Sequence, residues 1–110
     1  MSEFSYLFRG RDRTGPPEQV QMHFQKWVAW FKELEDTGYL KSRGNGLEDG
    51  GKVVKGKRKT VIDGPFAEAK ELVCGYIVVE AQNLAQAVEI SKGRPILEVD
   101  GSVEVRSIKR

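Results

Sequence analysis

The sequence predicts an α+β domain in which two β-α-β units share one antiparallel sheet, and three observations support this. Alternation from residue 4 to residue 9 is typical of a strand, with one face formed by Phe4, Tyr6 and Phe8. Apolar residues then follow at spacings of 4, 3, 4 and 3, which is typical of one helix stripe: Val20, Phe24, Trp27, Phe31 and Leu34. A second strand and helix follow after residue 72. The expected architecture is therefore ferredoxin-like, with a split βαβ order.

The ends of the first helix are marked by residues that suit helix ends. Pro16-Pro17 favours a helix start, because proline at the first helical position loses no hydrogen bond. Gly38 is expected to end the helix, because glycine readily adopts the left-handed conformation that often follows the last helical turn. Tyr39 and Leu40 then begin an extended stretch, and Gly44, Gly46, Gly50 and Gly51 indicate a loop.

The second half of the chain continues the predicted pattern. Residues 52–55 and 58–62 flank a turn at Gly56 and form a predicted hairpin, and residues 66–71 favour a short helical turn. The apolar run from Leu72 to Ala81 predicts a central strand. Asn83 is expected to cap a second helix, with Gln86 in capping-box spacing. Strands at 96–99 and 103–108 are joined by Asp100-Gly101, which is a strong hairpin signal.

Length and composition indicate an ordinary folded protein. A chain of 110 residues is expected to form a single domain, residues 1–110, with one modest core. No apolar run approaches the ~18 residues of a membrane helix, and no signal peptide is expected at the N-terminus. The lone Cys74 has no internal disulfide partner, so a cytoplasmic location is expected.

The charges do not indicate a nucleic-acid partner. The net charge is +2, and the one basic cluster, within residues 52–59, has no interleaved aromatic residue for base stacking. Its lysines are more simply explained as protection of an exposed strand edge. Because the sequence has no cluster of Cys and His residues, no metal and no cofactor is expected.

A tight corner at Asp63-Gly64-Pro65-Phe66 has both a structural and a functional interpretation. Asp63-Gly64 permits an Asx-type turn with a positive φ at Gly64, and Pro65 ends the strand. A turn alone explains these residues. A partly desolvated carboxylate, held in a fixed direction at the rim of a site, explains them equally well.

The corner and the residues around it resemble a known family. The stretch VIDGPFAEAKELVCGYIVVEAQNLAQAVEISKGRP, together with GSVEVRSI, is similar to the YCII-related, DGPF-domain family. The resemblance also includes the aromatic first strand and the tryptophan-rich helix that ends at Gly38. It implies a ferredoxin-like fold that dimerises into an α+β barrel.

The resemblance implies two kinds of function. An acid–base role has been proposed for a His–Asp pair in some relatives, and Asp63 matches the acidic member of that pair. The position that matches the histidine is Trp27, and His23 is the only histidine of this chain. Other relatives are associated with extracytoplasmic-function sigma factors, which implies a regulatory role.

The remaining candidate residues follow from the expected sheet. His23 could serve as a base beside Asp63, or it could simply lie at the edge of the helix or at a dimer interface. Ligand contacts are expected from Arg9, Gly64, Pro65, Phe66 and Arg106. Arg106 could hold Asp63 or Glu104 in a charge-assisted pair. Cys74, in an apolar strand, is expected to be a core residue.

A homodimer is expected because two helices can cover only one face of the sheet. The other face is expected to carry residues such as Tyr6 or Tyr76, and a second copy is the simplest cover for them. Two functions remain open. One is a small-molecule enzyme that uses Asp63 as acid or base in a pocket beside residues 66–71. The other is a non-catalytic dimer that holds a ligand or a regulatory partner such as a sigma factor. The sequence does not decide whether the protein is an enzyme.

Overall fold

A computed structural model describes residues 1–10, 16–48, 50–64, 72–93 and 101–109. Its elements follow the predicted order: β1 (Ser2–Arg9), α1 (Pro17–Asp36), β2 (Leu40–Gly46), β3 (Gly51–Lys55), β4 (Thr60–Gly64), β5 (Val73–Ala81), α2 (Leu84–Ser91) and β6 (Ser102–Ser107). The expected helical turn at 66–71 and strand at 96–99 lie outside the described residues.

Four strands form one antiparallel sheet in the order β2-β5-β1-β6, which is the ferredoxin-like arrangement. β5 is a central strand, as predicted. Strands β3 and β4 form a separate two-stranded sheet, the β3–β4 hairpin. The prediction of an α+β, ferredoxin-like fold is therefore confirmed.

The helix ends follow the sequence signals. Gly38 has φ +82°, and it donates to Glu35 O while Tyr39 donates to Leu34 O. These two bonds satisfy the last carbonyl groups of α1 in a Schellman arrangement. At the start of α2, the Asn83 side chain accepts from the Gln86 amide at 2.9 Å. Both predicted caps are confirmed.

One face of the sheet packs against both helices and forms the core. β1 and β5 contribute alternate residues to this face: Phe4, Tyr6, Phe8, Ile77, Val79 and Ala81. Tyr6 is fully buried, stacks on Trp30 and donates its hydroxyl to Ala87 O. The expectation that Tyr6 lies on the uncovered face was therefore wrong, because its phenol finds a carbonyl partner beneath α2.

The buried face of α1 is rotated relative to the predicted stripe. His23, Trp27, Trp30 and Leu34 are buried, whereas Phe24 is 65% exposed. The physical reason is that Trp30 has large aromatic partners on β1, and His23 has a hydrogen-bond donor one turn away in Trp27. Histidine is a polar residue type, so the apolar pattern did not include His23. The expectation that His23 lies at the edge of the helix was therefore wrong.

The opposite face of the sheet, the open face, carries mixed polar and apolar residues. They lie on β1, β5 and β6 and include Ser5, Leu7, Arg9, Tyr76, Val78, Glu80, Glu104 and Arg106. Tyr76 lies on this face, as expected. Within the part of the chain that the structure describes, no helix covers these side chains, and no helix is long and apolar enough to cross a membrane.

Candidate functional site

A pocket opens between α1 and the edge of the sheet formed by β2 and β5. Its volume is about 320 Å³, which is at the lower end of the range for small-molecule sites. Its lining is mostly apolar and consists of Phe8, Phe24, Trp27, Phe31, Arg43, Gly44, Asn45, Gly46, Cys74, Gly75, Tyr76 and Ile77. We call this space the aromatic pocket.

Four aromatic residues form one side of the aromatic pocket. Trp27 meets the edge of Phe8 at a ring-centroid distance of 4.9 Å and an interplanar angle of 74°. It also packs at 5.7 Å against Phe31, and Phe24 lies exposed at the mouth. The indole N–H of Trp27 donates to His23 Nε2 at 3.1 Å, so both polar atoms are satisfied beneath the helix. This bond fixes the orientation of the ring that lines the pocket.

Three glycines of β2 and β5 belong to the pocket lining, and two of them lie where these strands come closest. Gly44 has φ +52°, and a Cβ built there would lie 1.9 Å from the carbonyl oxygen of Tyr76. A Cβ on Gly75 would lie 3.2 Å from Asn45 O. The register between β2 and β5 shifts between Ser42 and Asn45, as at a β-bulge. Glycine at these positions allows β2 and β5 to approach each other closely at the edge of the pocket.

Two polar side chains border the apolar space. Arg43 Nε donates to Glu35 Oε1 at 2.6 Å, which ties the end of α1 to β2. Asn45 Nδ2 donates to the Tyr76 hydroxyl at 3.3 Å. No carboxylate belongs to the described lining given above, and the polar groups that accompany its aromatic faces are those of Arg43, Asn45, Cys74 and Tyr76.

Asp63 lies away from this pocket, on the β3–β4 hairpin. It faces Lys52 across the hairpin and bonds to the Lys52 ammonium, with 89% of its side chain exposed. Gly64 is the last residue of β4 and is paired with Gly51, so it extends the strand instead of forming the corner. Pro65 and Phe66 lie outside the described residues.

The structure does not bring His23 and Asp63 together. His23 lies on the buried side of α1, where its Nε2 accepts a hydrogen bond from the Trp27 indole N–H. An accepting Nε2 requires the neutral imidazole ring with its proton on Nδ1. Asp63 bonds to Lys52 instead. A proton-accepting role for His23 Nε2 would therefore require the Trp27 bond to break.

Arg9 and Arg106 do converge, but on Glu104 of the open face. Arg9 Nη2 lies 2.8 Å from Glu104 Oε1, and Arg106 Nε lies 3.6 Å from Glu104 Oε2. The pairing that the sequence suggested between Arg106 and Glu104 is present. Since these side chains are one-third or more exposed, the pairs are expected to contribute little to stability.

Sequence reasoning missed the residues that build the pocket. Gly44 and Gly46 were interpreted as loop, although they belong to β2, and Gly75 was hidden inside an apolar run. A glycine in a central strand is itself a signal of close backbone approach. Cys74, which borders the pocket, packs against the core as expected. Within the described ranges, no group of three or more His, Cys, Asp or Glu residues is placed to hold a metal ion.

Fold and pocket together define a ferredoxin-like α+β domain with a small apolar site beside its first helix. The family model of the YCII-related domain matches residues 5–110, so the chain belongs to this family. Among solved structures, the fold is similar to 5-chloro-2-hydroxyhydroquinone dehydrochlorinase from Burkholderia phenoliruptrix AC1100, in complex with 2,5-dihydroxybenzoquinone. The TM-score is 0.50 and the identity 14%, over 98% of this chain and 94% of the other. No curated protein sequence matches the chain.

Proposed function

We propose that the protein binds a small, flat, largely apolar molecule in the aromatic pocket. The observation that carries this proposal is the composition of the pocket lining. The lining combines four aromatic residues of β1 and α1 with three glycines of β2 and β5, which have no side chain. A planar ligand suits such a lining because it can stack on the rings while the glycines leave room for it. The structurally similar dehydrochlorinase was solved in complex with 2,5-dihydroxybenzoquinone, which supports a choice of aromatic probes.

Ligand binding is favoured over acid–base catalysis within a single chain. The ionisable side chains in the pocket lining are Arg43, Cys74 and Tyr76, of which Arg43 is already paired with Glu35. A catalytic carboxylate would have to come from outside this described lining. Asp63 remains the candidate for that role, on the family resemblance, and the enzyme hypothesis depends on it.

We also propose that the protein is a homodimer. The open face of the sheet leaves Leu7, Tyr76 and Val78 at least partly accessible, and a second copy packed face to face would bury them. Sedimentation velocity at micromolar concentration is expected to give the mass of two chains. A single species with the mass of one chain would contradict this part of the proposal.

Tryptophan fluorescence tests the proposed site. A panel of benzoates, phenols and quinones, with cyclohexanecarboxylate as a saturated control, is titrated against the wild type and two variants. We expect quenching in wild type and in Trp30→Phe, and its loss in Trp27→Phe, because only Trp27 lines the pocket. The aromatic probes are expected to bind about three- to tenfold more tightly than the saturated one. Equal responses from both variants, or no binding by any probe, would contradict the proposal.

Removing the aromatic ring at the mouth of the pocket is expected to weaken binding without unfolding the protein. Phe24→Ala is expected to raise the Kd of the best aromatic probe about three- to tenfold, because it removes one stacking partner. Met22→Ala is the matched control: Met22 is similarly exposed on α1, but it does not line the pocket. Equal effects of the two substitutions would place the ligand elsewhere.

Replacing Asp63 separates the binding hypothesis from the enzyme hypothesis. Asp63→Asn is expected to change the free energy of unfolding by no more than about 0.5 kcal/mol, because the side chain is exposed. If the protein only binds a ligand, and the pocket is formed by one chain, Asp63→Asn is expected to bind the probe with the same Kd as the wild type. Loss of turnover of any aromatic substrate in Asp63→Asn, with stability retained, would establish the enzyme hypothesis instead.

A further inference from the structure

The β3–β4 hairpin stands apart from the other described helices and strands. None of the principal packing contacts between described elements involves β3 or β4, apart from the contact of the two strands with each other. The radius of gyration is 15.3 Å, compared with about 13 Å for a compact domain of this length. A two-stranded hairpin is at best marginally stable by itself in water. The hairpin therefore needs a surface to pack against.

One face of the hairpin presents an exposed apolar pair. Val54 lies directly opposite Val61 in the register, and their side chains are 65% and 61% exposed. The neighbouring pair on the same face, two residues along each strand, is Lys52 with Asp63. The apolar pair and this ion pair are therefore about 7 Å apart on one surface.

Helix α1 carries a matching apolar surface. Val20, Phe24, Val28 and Phe31 follow at spacings of 4, 4 and 3, so they form one stripe beside the buried face; we call it the outer stripe. Val28 is about half exposed and Phe24 more so. Phe24 and Phe31 also line the aromatic pocket, so whatever covers the outer stripe also covers the mouth of the pocket.

The charges of the two surfaces are complementary. Residues 51–64 contain five cations and one carboxylate, a net charge of +4. Helix α1 contains two lysines against four carboxylates, a net charge of −2 with His23 neutral. An approach of the hairpin to α1 is therefore attractive over distances of roughly 10 Å at moderate salt.

We propose that the β3–β4 hairpin of one copy packs on the outer stripe of α1 in a second copy. The Val54–Val61 pair contacts Phe24 and Val28, and the hairpin closes the mouth of the partner's aromatic pocket. Two hairpins packed on each other would bring +4 against +4. The open face of the sheet is a poorer match, because Arg9, Lys41 and Arg106 pair with Glu80 and Glu104 and leave no excess of negative charge there.

The arrangement places Asp63 beside a pocket whose described lining contains no carboxylate. With the apolar pair on the outer stripe, the Lys52–Asp63 pair lies about 7 Å further along the hairpin. The hairpin of one chain would then complete the site of the other. This consequence for ligand binding rests on the proposed function, whereas the docking itself does not.

Intermolecular disulfide formation tests the docking without any ligand. Two chains are prepared in a Cys74→Ser background, one with Val54→Cys and the other with Phe24→Cys, and they are mixed and oxidised. A second pair, Val61→Cys with Val28→Cys, guards against a variant that fails to fold. The control replaces the α1 partner by Met22→Cys, which is exposed but lies about 160° around the helix from Phe24.

We expect disulfide-linked dimers at several times the control yield in at least one of the two pairs. Yields no higher than the control in both pairs would overturn the proposal. A single chain carrying Phe24→Cys and Val54→Cys is expected to give linked dimers. If it closes into an oxidised monomer, the hairpin covers its own helix and the proposal is wrong. Because no ligand is used, these results are independent of whether any fluorescence probe binds.

Discussion

Gly44→Ala is expected to lower the free energy of unfolding by at least about 3 kcal/mol. At φ +52° an added methyl group is strained, and at 1.9 Å from the Tyr76 carbonyl oxygen it cannot be accommodated without separating β2 from β5. Urea denaturation followed by circular dichroism measures the loss. We expect the pocket to be lost as well, because Gly44 and Tyr76 both line it.

Gly56→Ala is the matched control for Gly44→Ala. Gly56 also has a positive φ, +72°, but nothing lies within 4 Å of its added Cβ. Gly56→Ala is expected to lower the free energy of unfolding by only about 1–2 kcal/mol, which is the cost of a left-handed backbone conformation for alanine. If both variants lost the same stability, the close approach of β2 to β5 would not be the reason for glycine at position 44.

Trp30→Ala is expected to be the most damaging substitution in α1, at about 3–5 kcal/mol. Trp30 is buried and stacks on Tyr6 at a centroid distance of 6.4 Å, with further contacts to Phe8 and Trp27. Its removal leaves a cavity between α1 and β1 that the sheet cannot fill. Thermal unfolding of the variant is the measurement.

Phe24→Ala provides the comparison, because simple helical periodicity predicts the reverse order. The predicted apolar stripe includes Phe24 and omits Trp30, whereas the structure buries Trp30 and exposes Phe24. At protein concentrations low enough for the chain to be monomeric, we expect Phe24→Ala to change the free energy of unfolding by no more than about 0.5 kcal/mol. A larger loss for Phe24→Ala than for Trp30→Ala would show that the helix packs as periodicity alone predicts.

Most of the fold could be predicted from the sequence because its signals are local. Gly38 and Asn83 identify helix ends by the conformations and hydrogen bonds that those residue types favour. The rotation of α1 could not be predicted this way. It depends on which ring lies opposite Trp30 and on a donor for His23, and both are tertiary contacts. The same holds for Tyr6, whose carbonyl partner lies on α2.

The pocket was harder to predict from the sequence than the corner at Asp63. A turn motif such as Asp63-Gly64 is contiguous and therefore conspicuous, yet the structure places it on an exposed hairpin. The pocket combines residues from α1, β1, β2 and β5, and three of its twelve described lining residues are glycines that contribute no side chain. Only the register of β2 against β5 brings Gly44 and Gly75 into the same site.

The proposed docking of the hairpin would reconcile the two candidate regions. In that arrangement, Asp63 of one copy and the aromatic pocket of the other belong to a single composite site. The family resemblance of Asp63 and the geometry of the pocket would then describe the same function. The disulfide experiment and the Asp63→Asn variant address these two points separately.

The central claim is that a small molecule binds between α1 and the β2–β5 edge, and chemical-shift mapping tests it most directly. The best aromatic probe from the fluorescence panel is titrated into ¹⁵N-labelled protein. We expect the largest shifts at the Trp27 indole N–H and at the amides of Gly46 and Gly75, all in pocket-lining residues. Unmoved resonances for these three groups, with shifts concentrated in other parts of the chain, would contradict the claim.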